Sequence, residues 1–374
     1  MSTHLHFSTH KPSRSRRRVE ALLDECGVRI NGSSPWDIRV FDESFYTRVL
    51  RFGSLGFGEA YMDRSWDVDD LEELLYRLLN AHIEERVHTW RSLLMYLDAV
   101  LFNPQSGLGT FKVGRHHYDL GNDLYQCMLD SRMIYSCGFW QNARTLDEAQ
   151  QAKLDLVFRK LALKPGQRVL DVGCGWGGAL EYAVRHYGVE GVGITISAEQ
   201  AAYARAKCAG LPIEIRLEDY RETQGQFDHV YSIGMFEHVG AKNYRTYLQT
   251  VHRCLRPHGR FLLHTIGRTR NIGLQRNDPW IEKYIFPNSH LPAQGQISAA
   301  AKGLFEAVGW QEIGAHYVPT LRAWRANFER HWSQLRKTRD DMFYRMWEFY
   351  LCSSAASFRA GKNTVWQFLL EPDR

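Results

Sequence analysis

Between Gln167 and Ile266 the sequence switches repeatedly between short apolar runs and amphipathic segments. The strand-like runs are "QRVLDVGCG", "EGVGITIS", "IEIRLED", "FDHVYSIG" and "GRFLLHTI". Helical periodicity fills the stretch ending at Tyr187, "AEQAAYARAKCAG" and "KNYRTYLQTVHRCLRP". Two strands joined through a helix run parallel, because the helix has to cross over the sheet face, and such sheets are covered on both faces. The expected fold class is therefore α/β, with a mostly parallel sheet and helices on both faces. Ligands of such sheets sit at the carboxyl ends of the strands. Asp171, Thr195, Asp219, Glu237 and His264 all fall at or just beyond those ends, so five polar positions converge on one edge.

One of these ends is unusual. In "VYSIGMFEHVG" (230–240) an apolar run closes on a carboxylate and an imidazole side by side. Charged groups are costly to bury unless paired, so Glu237 and His238 are expected either at a wet rim or inside a site.

Upstream, "HYDLGNDLYQCMLD" and "TLDEAQQAKLDLVFRKLAL" read as helices flanking the turn "MIYSCGFW". Residues 15–100 read as a small mixed unit. It has a helix in "RRRVEALLDECG" ending at Gly27, two short strands in "VRINGSSPWDIRVF" around a Gly-Ser-Ser-Pro turn, and a charged amphipathic helix in "DVDDLEELLYRLLNAHIEE". At 374 residues the chain exceeds what one core usually spans. The Gly, Pro and Ser content of "FNPQSGLGTFKVG" places a linker at 103–114, between a small N-terminal domain (1–102) and a larger one (115–374).

No stretch approaches the roughly 18 unbroken apolar residues of a membrane helix. The basic opening (Lys11, Arg14, Arg16 to Arg18) is followed by no apolar signal region, so the chain is expected to be unprocessed and cytoplasmic. Seven cysteines at irregular spacing, with no CxxC pair, fit reduced thiols and disfavour a zinc module. Much of the +5 formal charge sits in the Arg-rich opening, which suits an anionic surface or simply a solvated tail.

"LDVGCGWGG" contains Gly173-x-Gly175-x-x-Gly178, the spacing of a dinucleotide loop. A dehydrogenase would place an acid at the end of the next strand for the ribose hydroxyls, whereas that place here reads Gly193-Ile-Thr195. Instead Asp171 precedes the loop, Asp219 closes the third strand, and Gly177 is expected to let the backbone approach a ligand closely. The pattern resembles the first motif of class I (Rossmann-like) S-adenosylmethionine-dependent methyltransferases.

The resemblance becomes specific through "HYDLGNDLY", "YSCGFW", "LDVGCGWGG", "VGITISAEQ", "SIGMFEHVG", "FLLHTIG", "DPWIEKYIFPN" and "IGAHYVPTLRAW", in this order over nearly the whole chain. Together they look like the cyclopropane-fatty-acyl-phospholipid synthases. The resemblance implies transfer of a methylene group from S-adenosylmethionine to the cis double bond of an unsaturated acyl chain in a membrane phospholipid. The carbocation formed on the way would be deprotonated by bound bicarbonate. It assigns the bicarbonate to Cys137, the amide of Ile233, Glu237, His264 and Tyr317. It assigns the cofactor to Tyr135 and Ser136 (methionine part), Gly173 and Gly175 (loop), Thr195 and Gln200 (ribose region), and Asp219 with Tyr220 (adenine). His238 is expected to pack beside the site.

Phe139, Trp140, Tyr284, Phe286 and Trp324 are candidates for a cation site or acyl tunnel, with core packing as their default. A metal bound by Cys137, Glu237, His238 and His264 is disfavoured, since no two of them share short-motif spacing. Where family members often carry a cysteine in a C-terminal helix, "YLCSSAASF" puts Ser354, with Cys352 turned about 200° away around the helix.

A substrate inside a bilayer and a chain without a membrane helix together imply peripheral binding at the inner face of the membrane, with the basic opening as a headgroup contact, and the family implies a homodimer. No nucleic-acid partner is expected. Alternatives are a lipid C-methyltransferase that leaves a methyl branch, and a lipid-binding homologue without catalysis.

Overall fold

A computed structural model describes residues 13–83, 120–269 and 278–373. The linker expected at 103–114 lies outside the described residues, as does Lys11.

The N-terminal unit begins with helix α1 (Arg14–Asp24), capped by the Ser13 side chain, which accepts from the Arg16 amide. It continues through β1 (Arg39–Val40), α2 (Ser44–Phe52), α3 (Ser54–Met62), β2 (Trp66–Asp67) and α4 (Leu71–Asn80). The two strands expected within 28–41 do not form a hairpin. Ile30 makes only an isolated bridge to Ile38, and β1 pairs antiparallel with β2 instead. The reason is Asp37, whose buried carboxylate accepts from the amides of Arg29 and Ser34 and so closes this segment as a turn. The helix expected from Asp67 onward starts at Leu71 and is capped by Asp70, whose side chain accepts from the Glu73 amide, with Glu72 and Glu73 in the first turn.

The remaining helices are α5 (Asn122–Met128), α6 (Leu146–Leu161), α7 (Gly178–Tyr187), α8 (Ala198–Lys207), α9 (Tyr244–Cys254), α10 (Pro279–Tyr284), α11 (Gln294–Ala301), α12 (Tyr317–Leu335) and α13 (Asp341–Arg359). The strands are β3 (Arg168–Val172), β4 (Glu190–Thr195), β5 (Ile213–Leu217), β6 (Phe227–Ile233), β7 (Leu255–Arg268), β8 (Phe305–Glu312) and β9 (Asn363–Pro372). Seven strands form one sheet in the order β5-β4-β3-β6-β7-β9-β8. The pairs from β5 across to β7 are parallel, and β9 is antiparallel to both neighbours. The mostly parallel sheet read from the sequence is present. The antiparallel pair at its far edge lies beyond the point where the strand–helix alternation stops.

Successive strands move outward from β3 to β5 and then return to build on the other side through β6 and β7. That reversal opens a crevice at the carboxyl ends of β3 and β6. The N-terminal unit is packed against the C-terminal helices through one continuous apolar core that includes Tyr61, Trp66, Leu74, Trp280, Trp347 and Phe349. Polar contacts cross the same boundary: the Tyr61 hydroxyl donates to Glu348 at 2.8 Å, and the Arg345 guanidinium lies 3.7 Å over the Tyr61 ring. Glu72 accepts from both Arg322 and Arg359.

Candidate active site

The crevice is a cleft with about 1160 Å³ of empty space, part of it open to solvent. Of the residues assigned to a cofactor, Tyr135, Ser136, Asp171, Gly173, Gly175, Thr195, Gln200 and Tyr220 line it, as does Ile233. Gly173 and Gly175 have φ of 88° and 53°, left-handed values that glycine reaches without strain and that bend the chain from β3 into α7. A Cβ on Gly175 would meet nothing within 4 Å, whereas one on Gly173 would lie 2.7 Å from Met235 in the loop after β6. The two loops therefore close on each other, and Gly175 faces open space. Thr195 donates its hydroxyl proton to Gln200 Oε1 at 2.9 Å, which leaves the Gln200 NH₂ group as a donor.

Two assignments fall elsewhere. Gly177 does not line the cleft, and its missing side chain makes room for Ala204 and Cys208 on the neighbouring helix. Asp219 is also outside the lining: its carboxylate accepts from the Arg221 amide at 3.0 Å, capping the turn that follows β5. Its neighbour Glu218 lines the cleft instead, and Glu218 Oε1 is buried without a hydrogen-bond partner. A donor-bearing ligand such as an adenosyl group would satisfy it.

Lys153 is the functional candidate that the sequence reading passed over. It lies on the inward face of α6 among Ala149, Gln150, Leu154 and Val157, fully buried, and it lines the cleft. Its ammonium donates to Ser136 Oγ at 2.9 Å. Burial pulls its pKa down to about 8, with Asp130, Cys137 and Asp171 opposing. Burial likewise pushes Asp171 up to about 7, and Lys153 works against that rise. The signal was available: Leu146, Ala149, Gln150, Lys153, Leu154 and Val157 follow the i, i+3, i+4 spacing of a buried stripe, and Lys153 is one of them.

Glu237 and His238 separate. His238 lines the cleft, its Nδ1 buried without a partner, and burial lowers its pKa to about 4. Glu237 points to the end of β7, where Oε1 accepts from the Ile266 amide at 2.6 Å and Oε2 is buried with no partner. Burial raises its pKa to about 7. His264 stands opposite Ile233 in the β6/β7 register, and its carbonyl accepts from the Gly234 amide at 2.9 Å. Ile233, Glu237 and His264 are thus gathered at one strand edge.

Cys137 and Tyr317 belong to a second group. The Cys137 thiol lies on the carbonyls of Gly138 and Ile313, at 3.2 Å and 3.8 Å, so its proton is already engaged and burial pushes its pKa up. Gly138 and Trp140 are tied to Thr320 and His316, which fixes the "YSCGFW" strip beside the start of α12 and Tyr317. Among the described residues no hydrogen bond joins this pair to Glu237 or His264.

Rings connect the two regions. His238 faces Phe286, Phe286 meets Tyr350 edge-on, and Tyr350 shares a 2.7 Å hydroxyl contact with Tyr135. Tyr135 then packs on Trp324, and Trp324 on Tyr317. Phe286 and Trp324 therefore belong to an aromatic wall that reaches the cleft, while Phe139 packs on His316 and Tyr284 on Trp280. Cys352 is buried on α13, where burial raises its thiol pKa, and it does not line the cleft. Among the described residues no three His, Cys, Asp or Glu side chains are grouped to hold a metal ion, and no helix is long and apolar enough to cross a membrane.

The family model described as mycolic acid cyclopropane synthetase matches residues 107–368. The cyclopropane-fatty-acyl-phospholipid synthase of Escherichia coli strain K12 is 47% identical over 355 residues, covering 94% of this chain and 92% of that protein. The tuberculostearic acid methyltransferase UfaA1 of Mycobacterium tuberculosis is 32% identical over 344 residues, covering 86% and 80%. Among solved structures, mycolic acid cyclopropane synthase CmaA1 complexed with SAH and CTAB superposes with a TM-score of 0.66 at 32% identity, covering 70% of this chain and 98% of that one. The chain belongs to the cyclopropane synthase family of S-adenosylmethionine-dependent methyltransferases.

Proposed function

We propose that this enzyme adds a methylene group from S-adenosylmethionine across the cis double bond of an unsaturated acyl chain in a membrane phospholipid, closing a cyclopropane ring. The observation that carries the reading is the pairing of a cleft able to hold the cofactor with a buried, half-satisfied carboxylate at the adjoining strand ends. Gly175 opening onto empty space, the free Gln200 amide and the orphaned Glu218 Oε1 fit an adenosyl-amino-acid ligand.

An alkene is a weak nucleophile, so the residues must hold it in line with the donor methyl and keep water out. The aromatic wall of Phe286, Tyr350, Tyr135 and Trp324 offers ring faces to the cation that develops on the acyl chain. Bicarbonate, when bound, supplies a general base of low nucleophilicity for the proton that must leave the added carbon. The strand edge suits it: Glu237 Oε2 lacks a donor, which the bicarbonate hydroxyl would provide, and His264 and the Ile233 amide are donor types for its oxygens, while Tyr317 and the Cys137 amide would have to reach it from the second group. With the Cys137 thiol engaged on two carbonyls, the amide is the group that Cys137 has left to give.

The acyl chain would be drawn from a membrane surface to which the enzyme docks peripherally as a homodimer on the cytoplasmic side. Arg14, Arg17 and Arg18 support docking, being exposed on α1, whereas Arg16 is held by Glu20 and Glu43. The methyl-branching reading stays as the second one, because UfaA1 bears a methyltransferase name; it differs in which proton the cation loses, since loss from the added carbon closes a ring and loss from a neighbouring chain carbon leaves a methyl-branched alkene. The test is incubation with S-adenosylmethionine and vesicles of cis-unsaturated phospholipid. Released fatty acids that gain one CH₂ support the proposal, and unchanged acyl chains overturn it.

A further inference from the structure

His264 sits in the middle of a row that crosses three strands. Directly opposite it on β9 is Gln367, and directly opposite Gln367 on β8 is Gln311. Lys160, from the last turn of α6, closes the row: its ammonium donates to Gln367 Oε1 at 2.6 Å and to Gln311 Oε1 at 2.7 Å. Gln367 Nε2 lies 3.2 Å from His264 Nδ1. Gln367 and His264 are both buried.

The donor and acceptor roles along this row follow from chemistry. An ammonium has only protons to give, so the Gln367 atom it contacts must be the carbonyl oxygen. The other end of that amide is then the NH₂ group, which can only donate. His264 Nδ1 must therefore accept, and an imidazole nitrogen that accepts carries no proton. The neutral ring then bears its single proton on Nε2. Among the described residues the ring's hydrogen bond is the one at Nδ1, so the Nε2 proton is the one it has left for a ligand.

We propose that Lys160 and Gln367 are positioning residues that lock His264 in the Nε2–H tautomer, so that it presents a hydrogen-bond donor, and never an acceptor, to the anion bound at the strand ends. The inference rests on the reading that His264 faces that anion. A ring free to choose its tautomer would spend part of its time offering a lone pair to an anionic oxygen, which repels it. Burial adds to the lock, because it holds the ring neutral well below the usual histidine range and the two nearby lysines act in the same direction. Neither Lys160 nor Gln367 touches the cleft; both act through His264.

The test is a two-bond ¹H–¹⁵N correlation spectrum of full-length protein labelled with ¹⁵N-histidine, recorded at neutral pH, with the His264 signals assigned by their loss in His264→Gln. The wild type is expected to show Nε2 protonated and Nδ1 bare. Gln367→Glu keeps the shape but replaces the donor with an acceptor, and is expected to move the proton to Nδ1. Turnover in that variant should fall about 10–100-fold, the usual effect of removing an orienting partner, with the KM for S-adenosylmethionine unchanged. Lys160→Met, at a half-buried position, frees the amide to rotate and is expected to give a mixed tautomer signal. A wild-type His264 protonated on Nδ1, or a Gln367→Glu spectrum identical to wild type, overturns the proposal. A proton shift to Nδ1 without loss of turnover upholds the lock and overturns instead the placement of His264 at the reacting anion.

Discussion

The Ile266 amide holds one oxygen of Glu237 at 2.6 Å and leaves the other buried without a partner. A carboxylate so placed is half anchored and half waiting. The anchor fixes its direction, and the free oxygen costs stability until something donates to it.

Glu237→Gln should therefore flatten part of the pH–stability curve in bicarbonate-free buffer. The folded pKa, raised by burial to about 7, lies above the ordinary 4.5, so the protonated form is the one the fold prefers. Its contribution is intact below about pH 4.5 and is lost as pH rises through 7. Over that window the wild type is expected to lose on the order of 3 kcal/mol relative to the variant, as read by urea unfolding at several pH values. Parallel curves would show that Glu237 is not the buried acid described.

Lys153→Met should act in a higher window. In the wild type Lys153, lowered by burial to about 8, sheds its proton in the fold before it would when unfolded, so stability is gained as pH rises above 8. Asp171, raised by burial to about 7, loses stability up to that pH, and without the opposing ammonium the loss continues above it. Between pH 7 and 9 the variant is expected to fall behind the wild type by about 1 kcal/mol or more per pH unit. Equal slopes in that range would remove Lys153 from the buried charge cluster.

Glu218 and Asp219 are adjacent and should behave differently. Glu218→Gln takes a charged acceptor from the cleft and is expected to weaken binding of S-adenosylhomocysteine by roughly tenfold in calorimetry, with little change in stability. Asp219→Ala removes a cap and is expected to cost about 1 kcal/mol of stability with a smaller effect on binding. The reverse pattern would return the ligand contact to Asp219.

Joint replacement of Arg14, Arg17 and Arg18 by alanine should weaken co-sedimentation with anionic vesicles, at about 1 kcal/mol for each basic residue, and the loss should be largest at low salt. Binding that is unchanged at every salt concentration would remove α1 from the docking surface.

Much of this was legible in the sequence because it rests on periodicity. The strands and helices from Arg168 to Arg268, and the convergence of polar residues on one sheet edge, follow from alternation alone. The glycine loop was legible from its own spacing, Gly173-x-Gly175-x-x-Gly178. What periodicity does not encode is which way neighbouring side chains turn once a strand ends. Glu237 and His238 are adjacent in the chain, yet the short helical turn after β6 sends one to the β7 end and the other into the cleft. Glu218 and Asp219 exchange expected places for the same reason, since the capping of the following turn claims Asp219. Lys153 was hidden by the ordinary behaviour of lysine on helices. The β8–β9 pair escaped because its partners are distant in sequence, and with it went Gln367, whose meaning depends on facing His264 across strands.

The most direct measurement is the proton NMR spectrum of fatty acids recovered after the enzyme has acted on cis-unsaturated phospholipid vesicles with S-adenosylmethionine. Ring closure predicts loss of the olefinic signals together with upfield cyclopropyl proton signals, and neither change in Glu237→Ala while cofactor binding is retained. A new methyl-branch signal with no cyclopropyl protons, or wild-type turnover in Glu237→Ala, would contradict it.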